Sequence, residues 1–401
     1  MATGENDFVL ADNGVLVHIG PHKTGTTAIQ GALAAARPQL ADAGILYPGP
    51  KLEHNRQAAA AIRRAIGWDG DTIDRSRWFA LTESVRSHQG RTVLSSEVFC
   101  EADADAARQL IDELGRERAH VVVTLRPLEK LLPSNWQQYI KSGYRVTYPD
   151  WLTDVLESRE KRPVTPSFWI RNNHPAVIRR WIDAVGDPQR VAVVIVDSAH
   201  PRGLFDSFED ILQLPRNSLN ADESGPSNRS LSAYEVELLR QLNRRARSTV
   251  SYDDYYRLVK RGAVRSLVEG RTPGRREPRV TTPGWAIERA REFSKADVVD
   301  IGALGVRVLG DLEALAPTSP VGDAEAVEVT TVPVNLAATF MYDLLEAAIR
   351  TEPAAVVPPP PPAAPAPRPN TTGAKLDQVV ARTRARLART RLAARVRATR
   401  G

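Results

Sequence analysis

The stretch VLVHIGPHKTGTT, residues 15–27, runs from apolar residues into a glycine, a lysine and a pair of threonines. A Walker-type phosphate loop reads G-x-x-x-x-G-K-[ST], with its lysine after the last glycine. Here Lys23 precedes Gly25, and Thr26 and Thr27 close the motif. With a strand ending at Ile19 and a helix beginning near Thr26, the N–H groups of Lys23, Thr24, Gly25, Thr26 and Thr27 gather at a helix N-terminus. Unpaired donors and the helix dipole favour an anion there. Lys23 adds a point charge, the two threonine hydroxyls can donate to anionic oxygens, and His22 lies in the loop within reach of what it holds. His18, inside the strand, reads as structural.

The order P-x-x-K-T-G-T-T resembles the 5′-phosphosulfate loop of sulfotransferases that use 3′-phosphoadenosine 5′-phosphosulfate (PAPS). The resemblance implies that the loop holds the 5′-phosphate and that Lys23 reaches the bridging oxygen and the sulfuryl group. It implies no γ-phosphate to wrap and no metal to hold. It also implies a 3′-phosphate site made of an arginine at a strand end and a serine eight residues on. Arg126 ends AHVVVTLR, and Ser134 follows eight positions later. Arginine offers a planar fork to phosphate. Pro133, beside that serine, is expected to break or restart the helix. The resemblance covers about residues 14–142, fades over 180–250 and does not reach the C-terminal segment.

Sulfuryl transfer to a hydroxyl needs the acceptor to lose a proton as it attacks, so a placed general base helps. RTVLSSEVFC sets Glu97 at the end of a strand, beside the expected sulfuryl position. His54, in KLEHNRQAAAAI, is the rival base. Asn228 and Ser230, in SGPSNRSLS, are candidates to close over the nucleotide, whereas Gln137 and Lys141 are expected on an exposed helix face, with lining of the acceptor cleft as the alternative. Trp136, Trp169 and Trp181 are read as core. A nucleotide kinase or NTPase with a degenerate loop is the competing enzyme reading, and Asp197 is the strand-end acid it would need for magnesium. The non-enzymatic alternative is a nucleotide-binding scaffold that works through its C-terminal segment.

The elements that must position these groups alternate. VLVHI, RTVLSS, AHVVVTLR and RVAVVIVD read as valine-rich buried strands, interleaved with helical patterns at 26–37, 104–115, after 126 to about Lys141, and 175–186. That alternation predicts an α/β fold, a three-layer parallel sheet with a P-loop-like nucleotide-binding core, with ligands at the carboxyl ends of the strands. Residues 231–247 and 284–315 read as helical. The predicted domain covers 1–350, with its core at about 14–315. A Pro/Ala-rich linker follows at 351–373, then a basic amphipathic tail at 374–401.

Ten lysines and arginines beyond residue 350 face only Glu352 and Asp377. That net +8, in a chain whose total is +6, leaves −2 for residues 1–350. The body is therefore not basic, which argues against specific nucleic-acid binding. The tail, with Leu376, Val380, Thr383 and Leu387 on one helical stripe, fits an anionic membrane surface or a polyanion. Cys100 is the sole cysteine, so no internal disulfide can form. With no apolar run of spanning length and no signal pattern, the chain is expected in the cytoplasm, peripheral to the membrane through the tail. The acceptor, a carbohydrate, lipid or small molecule, is not named by the sequence. Residues 50–90 and 143–172 are expected to build its pocket.

Overall fold

In a computed structural model of the chain, residues 8–66, 71–72, 74–157, 164–197, 199–220, 229–322 and 324–350 are described. Among the described residues eight strands form: β1 (Val15–His18), β2 (Ile45–Leu46), β3 (Ala65–Ile66), β4 (Asp71–Thr72), β5 (Arg91–Ser95), β6 (Ala119–Leu125), β7 (Val191–Ile195) and β8 (Arg307–Leu309). Six of them make one sheet in the order β2-β5-β1-β6-β7-β8, and every pairing in it is parallel. β3 and β4 form a separate antiparallel pair.

The strands read as continuous apolar runs because both faces of the sheet are covered. Val15, Val17, Val121, Val123, Val191 and Val193 face one core, against Ala58, Leu81, Leu110, Ile111, Ile178 and Trp181. Leu16, Val93, Val122, Ala192 and Val194 face the other, against Ile29, Leu33, Phe205, Phe208 and Ile211. Period-two alternation thus sends neighbouring valines into different layers. Burying each such side chain contributes about 1.5–3 kcal/mol. The expected α/β class with a parallel sheet between helical layers is what forms.

A third core is helical. Leu132, Trp136, Ile140 and Trp151 pack with Leu239, Tyr255, Leu336 and Phe340. Trp181 and Trp136 are buried, and Trp169 packs half-buried against this third core. The helix Val334–Ile349 therefore belongs to the folded body, beyond the core limit near 315.

One expectation fails at the edge of the sheet. The segment 284–315 is a helix only from Gly284 to Gly302; β8 follows, and Leu312–Leu315 is a single 3₁₀ turn. Gly305 and Gly310, at φ +70° and +99°, bracket β8, a turn chemistry that the helical periodicity concealed. β2 is only two residues long, too short to show any period. The linker, the basic tail and Asn228 lie outside the described residues.

Candidate functional site

β5, β1 and β6 are neighbours at the centre of the sheet, and each delivers one group to its carboxyl edge. β1 delivers the loop 19–25. Gly20, Lys23 and Gly25 all take left-handed backbone, with φ +65°, +71° and +85°. At Gly25 a Cβ would come within 2.5 Å of the Leu204 side chain, so only glycine lets the chain turn there. Gly25 is also the N-cap of the helix Thr26–Ala35, and no side chain caps that end. The first N–H groups of the helix are left for another acceptor. Lys23 has no glycine's freedom, and its left-handed conformation costs about 1–2 kcal/mol.

A directed chain of hydrogen bonds fixes the loop. Ser95 Oγ and His18 Nδ1 are 2.8 Å apart, and His18 Nε2 is 3.2 Å from Thr124 Oγ1. Thr124 Oγ1 meets Thr24 Oγ1 at 2.7 Å, and Thr24 Oγ1 donates to the Pro21 carbonyl at 2.7 Å. Thr24 has one proton and gives it to Pro21, so Thr124 must donate to Thr24 and accept from His18 Nε2–H. His18 is then a neutral imidazole accepting from Ser95. Burial pushes its pKa down to about 4, only partly opposed by the charge of Glu97. The structural role expected of His18 thus has a definite content, a crosslink running from β5 through β1 to β6. Thr24, expected to bind the cofactor, turns its hydroxyl inward instead and can offer only its backbone. Thr26 Oγ1 also reaches the Pro21 carbonyl, at 3.3 Å, while Thr27 is exposed.

β5 delivers Glu97. Gln30 Nε2 donates to Glu97 Oε2 at 3.3 Å and Asn55 Nδ2 to Oε1 at 3.2 Å. Ser96 Oγ donates to Asn55 Oδ1 at 2.6 Å, which orients that amide. Cys100 Sγ donates to the Glu97 carbonyl at 2.9 Å. A Cβ on Gly20 would stand 3.2 Å from Glu97 Cβ, so the loop after β1 runs directly beneath this carboxylate. Burial raises the Glu97 pKa, but His22, the residue's own N–H, Gln30 and Asn55 together outweigh it and hold the carboxyl below its usual range. Burial, then the Glu97 attraction opposing it, leaves Lys23 below the usual lysine range.

His22 stands between two carboxylates, with Nδ1 3.8 Å from Glu97 Oε1 and Nε2 3.8 Å from Glu101 Oε1. Glu101 is bound in turn by Arg64 at 3.0 Å and by Arg171 at 2.6 Å. Burial raises its pKa, yet these partners bring it down to about 2.

His54 is brought to the same edge but cannot serve as a base there. Its Nδ1 accepts from the Ser95 N–H at 3.1 Å, which puts the proton on Nε2, and that nitrogen lies 2.8 Å from the Pro48 carbonyl. Both nitrogens are spent on backbone in a residue 2% exposed, and burial lowers its pKa. His54 anchors the end of β5 and the start of the Asn55–Ala61 helix.

β6 delivers Arg126, half-buried, with no hydrogen bond or ion pair to any described residue. The helix Leu128–Lys141 follows and runs unbroken through Pro133. Losing one backbone donor there is tolerated, and the Leu131 carbonyl gains Ser134 Oγ and Asn135 Nδ2 as side-chain donors, both at 3.0 Å. Ser134 therefore sits on a continuous helix, its proton committed to that turn. Gln137 and Lys141 are not exposed as expected. Gln137 is buried and its Oε1 accepts the Leu231 N–H at 2.8 Å, while Lys141 is half-buried. Ser230 lines a cavity of about 500 Å³ beside Pro133 and Gln137, with Arg275 and Arg279 on its wall.

Asp197, after β7, accepts from the Ala199 N–H at 2.9 Å and faces His200 Nδ1 at 3.0 Å; it caps its own turn. Among the described residues no group of three His, Cys, Asp or Glu could hold a metal ion, and no helix is long and apolar enough to cross a membrane. Sequence reasoning missed Gln30, Asn55, Glu101, Arg64 and Arg171. Asn55 was the nearest to legible, since it directly follows the flagged His54. No family model, no curated protein and no solved structure matches this chain.

Proposed function

We propose that the chain transfers the sulfuryl group from PAPS to a hydroxyl or amine of an acceptor. One observation carries this reading: a carboxylate, a lysine-bearing helix N-terminus and an arginine with no hydrogen-bond or ion-pair partner among the described residues stand at the carboxyl ends of three adjacent strands. The residues fit the co-substrate on physical grounds. The uncapped N-terminus at Gly25 suits a 5′-phosphate. Arg126, half-buried and without a described partner, suits a second, separate phosphate, which PAPS carries and ATP does not.

Lys23 and the loop N–H groups hold the phosphosulfate. Glu97 takes the proton from the acceptor as its oxygen or nitrogen bonds to sulfur. The bond from sulfur to the bridging oxygen breaks in line, and the electron pair leaves on the phosphate of 3′-phosphoadenosine 5′-phosphate. Lys23 and the helix N-terminus meet the charge that builds there, the point at which electrostatic stabilisation lowers the barrier. The hydrogen bonds from Gln30 and Asn55 keep Glu97 ionised before the step and oriented during it.

The test is a comparison of nucleotides by thermal unfolding. 3′-Phosphoadenosine 5′-phosphate should stabilise the fold by about 2.7 kcal/mol at a hundredfold excess over its Kd. Adenosine 5′-monophosphate and ATP should do much less. Equal shifts with and without the 3′-phosphate would remove the reading.

A further inference from the structure

The helix Val334–Ile349, the last of the folded body, has two unlike sides. On one, Leu336 and Phe340 are buried with Tyr255, Val259 and Ala263 of a π-helix at Tyr255–Ala263, and with Val264 and Leu267 just after it. A Cβ on Gly262 would come within 2.5 Å of Ala347 Cβ, so the two helices are in close contact there. Asp343, on the same side, is buried and takes a hydrogen bond from Ser266. Successive turns are thus fixed against the body, and the helix is held in one rotational setting.

The opposite side is apolar and bare. Val334 is 84% exposed, Met341 59%, Tyr342 63%, Leu345 63% and Ile349 80%. Ala338 and Ala348 are exposed among them. None of the seven carries a charge, although the outward face of a surface helix is ordinarily polar. Together they expose roughly 700 Å², more than the roughly 300–600 Å² of the largest apolar patch on a typical monomer. That area is close to the roughly 800 Å² which each partner brings to a standard protein–protein interface.

Spacing and size name the partner. Val334, Ala338, Met341, Leu345 and Ala348 recur at steps of four, three, four and three. A helix lying in a lipid surface needs only a broad apolar face, whereas this alternation is the seam of two helices that interlock in layers. In an antiparallel pair the two kinds of seam position meet, so Val334 faces Leu345 of a second copy and Ala338 faces its Met341. A small side chain lies opposite a long one at the centre, which fills the layer without a clash. Charge then favours that direction. The residues beyond 350 carry a net +8. A helix of 16 residues is about 24 Å long, so antiparallel helices start the two basic segments about that far apart. The Debye length at physiological salt is about 8 Å, and a parallel pair would start both segments side by side.

We infer that this face is the contact between two copies of the chain, an isologous pair of antiparallel Val334–Ile349 helices. The pairing holds whether or not the chain transfers sulfuryl groups.

Sedimentation equilibrium of the full chain should give twice the mass of one chain. Leu345→Glu would set two unpaired carboxylates in the seam and should raise the dimer Kd by about a hundredfold or more. Leu345 is exposed in the single chain, so circular dichroism of the variant should stay that of the folded protein. Thr339→Glu, exposed but off the seam, should leave the dimer intact. The direction is read by cross-linking, since the sole native cysteine, Cys100, is buried. An oxidised mixture of Ala338→Cys and Met341→Cys chains should give the mixed disulfide, and neither variant alone should self-link. A monomer at every concentration, an unaffected Leu345→Glu, or an equal loss in Thr339→Glu would overturn the interface. Self-linking of each variant alone would overturn the antiparallel direction. A monomer that binds phosphatidylserine vesicles and loses them in Leu345→Glu would give the face to lipid instead.

Discussion

Glu97 and Arg126 stand at the ends of strands that flank β1 on opposite sides, and the chain treats them differently. Glu97 is held by Gln30 and Asn55, and Asn55 by Ser96. Arg126 has no hydrogen bond or ion pair to any described residue, and Ser134 spends its proton on its own helix. A group that must take a proton at one instant gains from being fixed beforehand, because reorganisation would add to the barrier. A group that only holds a phosphate can wait for it, since the ligand supplies the order on arrival. On this account the Glu97 side sets rate and the Arg126 side sets affinity.

Glu97→Gln tests that division most severely. It keeps the size and one of the two accepted hydrogen bonds but removes the proposed base. Single-turnover rate at saturating PAPS should fall by roughly a hundred- to ten-thousandfold, with 3′-phosphoadenosine 5′-phosphate affinity unchanged. A variant that turns over normally would place the base elsewhere.

The next largest effect reaches the hydrogen-bonded chain through pH. His18 has its pKa lowered from 6.5 to about 4, so the folded state prefers it neutral. As pH falls below 6.5 the unfolded chain takes up this proton first, and stability is lost progressively down to about pH 4. The full loss is about 3 kcal/mol, at about 1.4 kcal/mol per pH unit. Glu101, with its pKa depressed to about 2, contributes stability above its usual pKa and loses it only at lower pH, so the two windows separate. Denaturant unfolding between pH 7 and 4 measures this. A flat profile would mean that His18 is not the buried crosslink described.

Arg126→Ala should show the reverse pattern to Glu97→Gln. Affinity for 3′-phosphoadenosine 5′-phosphate should drop by about ten- to a hundredfold, the worth of one charge-assisted contact. Affinity for adenosine 5′-monophosphate should hold. Equal losses for both nucleotides would show that Arg126 does not read the 3′-phosphate.

Ser134→Ala is the mildest. Its hydroxyl must leave the Leu131 carbonyl before it can donate to a phosphate, so the net loss should be about two- to tenfold in nucleotide affinity. A loss as large as that of Arg126→Ala would mean that the hydroxyl is already free for the ligand, and the contrast between fixed and waiting groups would weaken.

Much of this was readable along the chain. VLVHI, RTVLSS, AHVVVTLR and RVAVVIVD declared a buried parallel sheet, because strands covered on both faces read as near-continuous apolar runs, and their few polar members, such as His18, Ser95 and Thr124, pair with one another. Gly25 and Lys23 marked, by type and spacing, the loop proposed here to hold an anion. β2 and β8 were not readable, since two or three residues carry no period. Lys141 was misread as exposed because its helix pattern shows which face is apolar but not what later covers the other. That cover includes the helix Ala233–Ala246, whose Asn243 donates to the Ile140 and Tyr144 carbonyls from about a hundred residues downstream.

By itself, the sequence determined the strands, the loop that turns left-handed at glycine, and the set of residue types able to bind phosphate or move a proton. These are local matters of period, side-chain volume and allowed φ. The tertiary structure alone decided which candidates are free to act. His54 and Glu97 are forty-three positions apart, the carboxylate the favoured base on paper and the histidine its rival. Packing against Pro48 and Ser95 consumed both nitrogens of the histidine, while Gln30 and Asn55 left the carboxylate ionised and in place. Hydrogen-bond partners that arrive from distant segments leave no periodic trace along the chain.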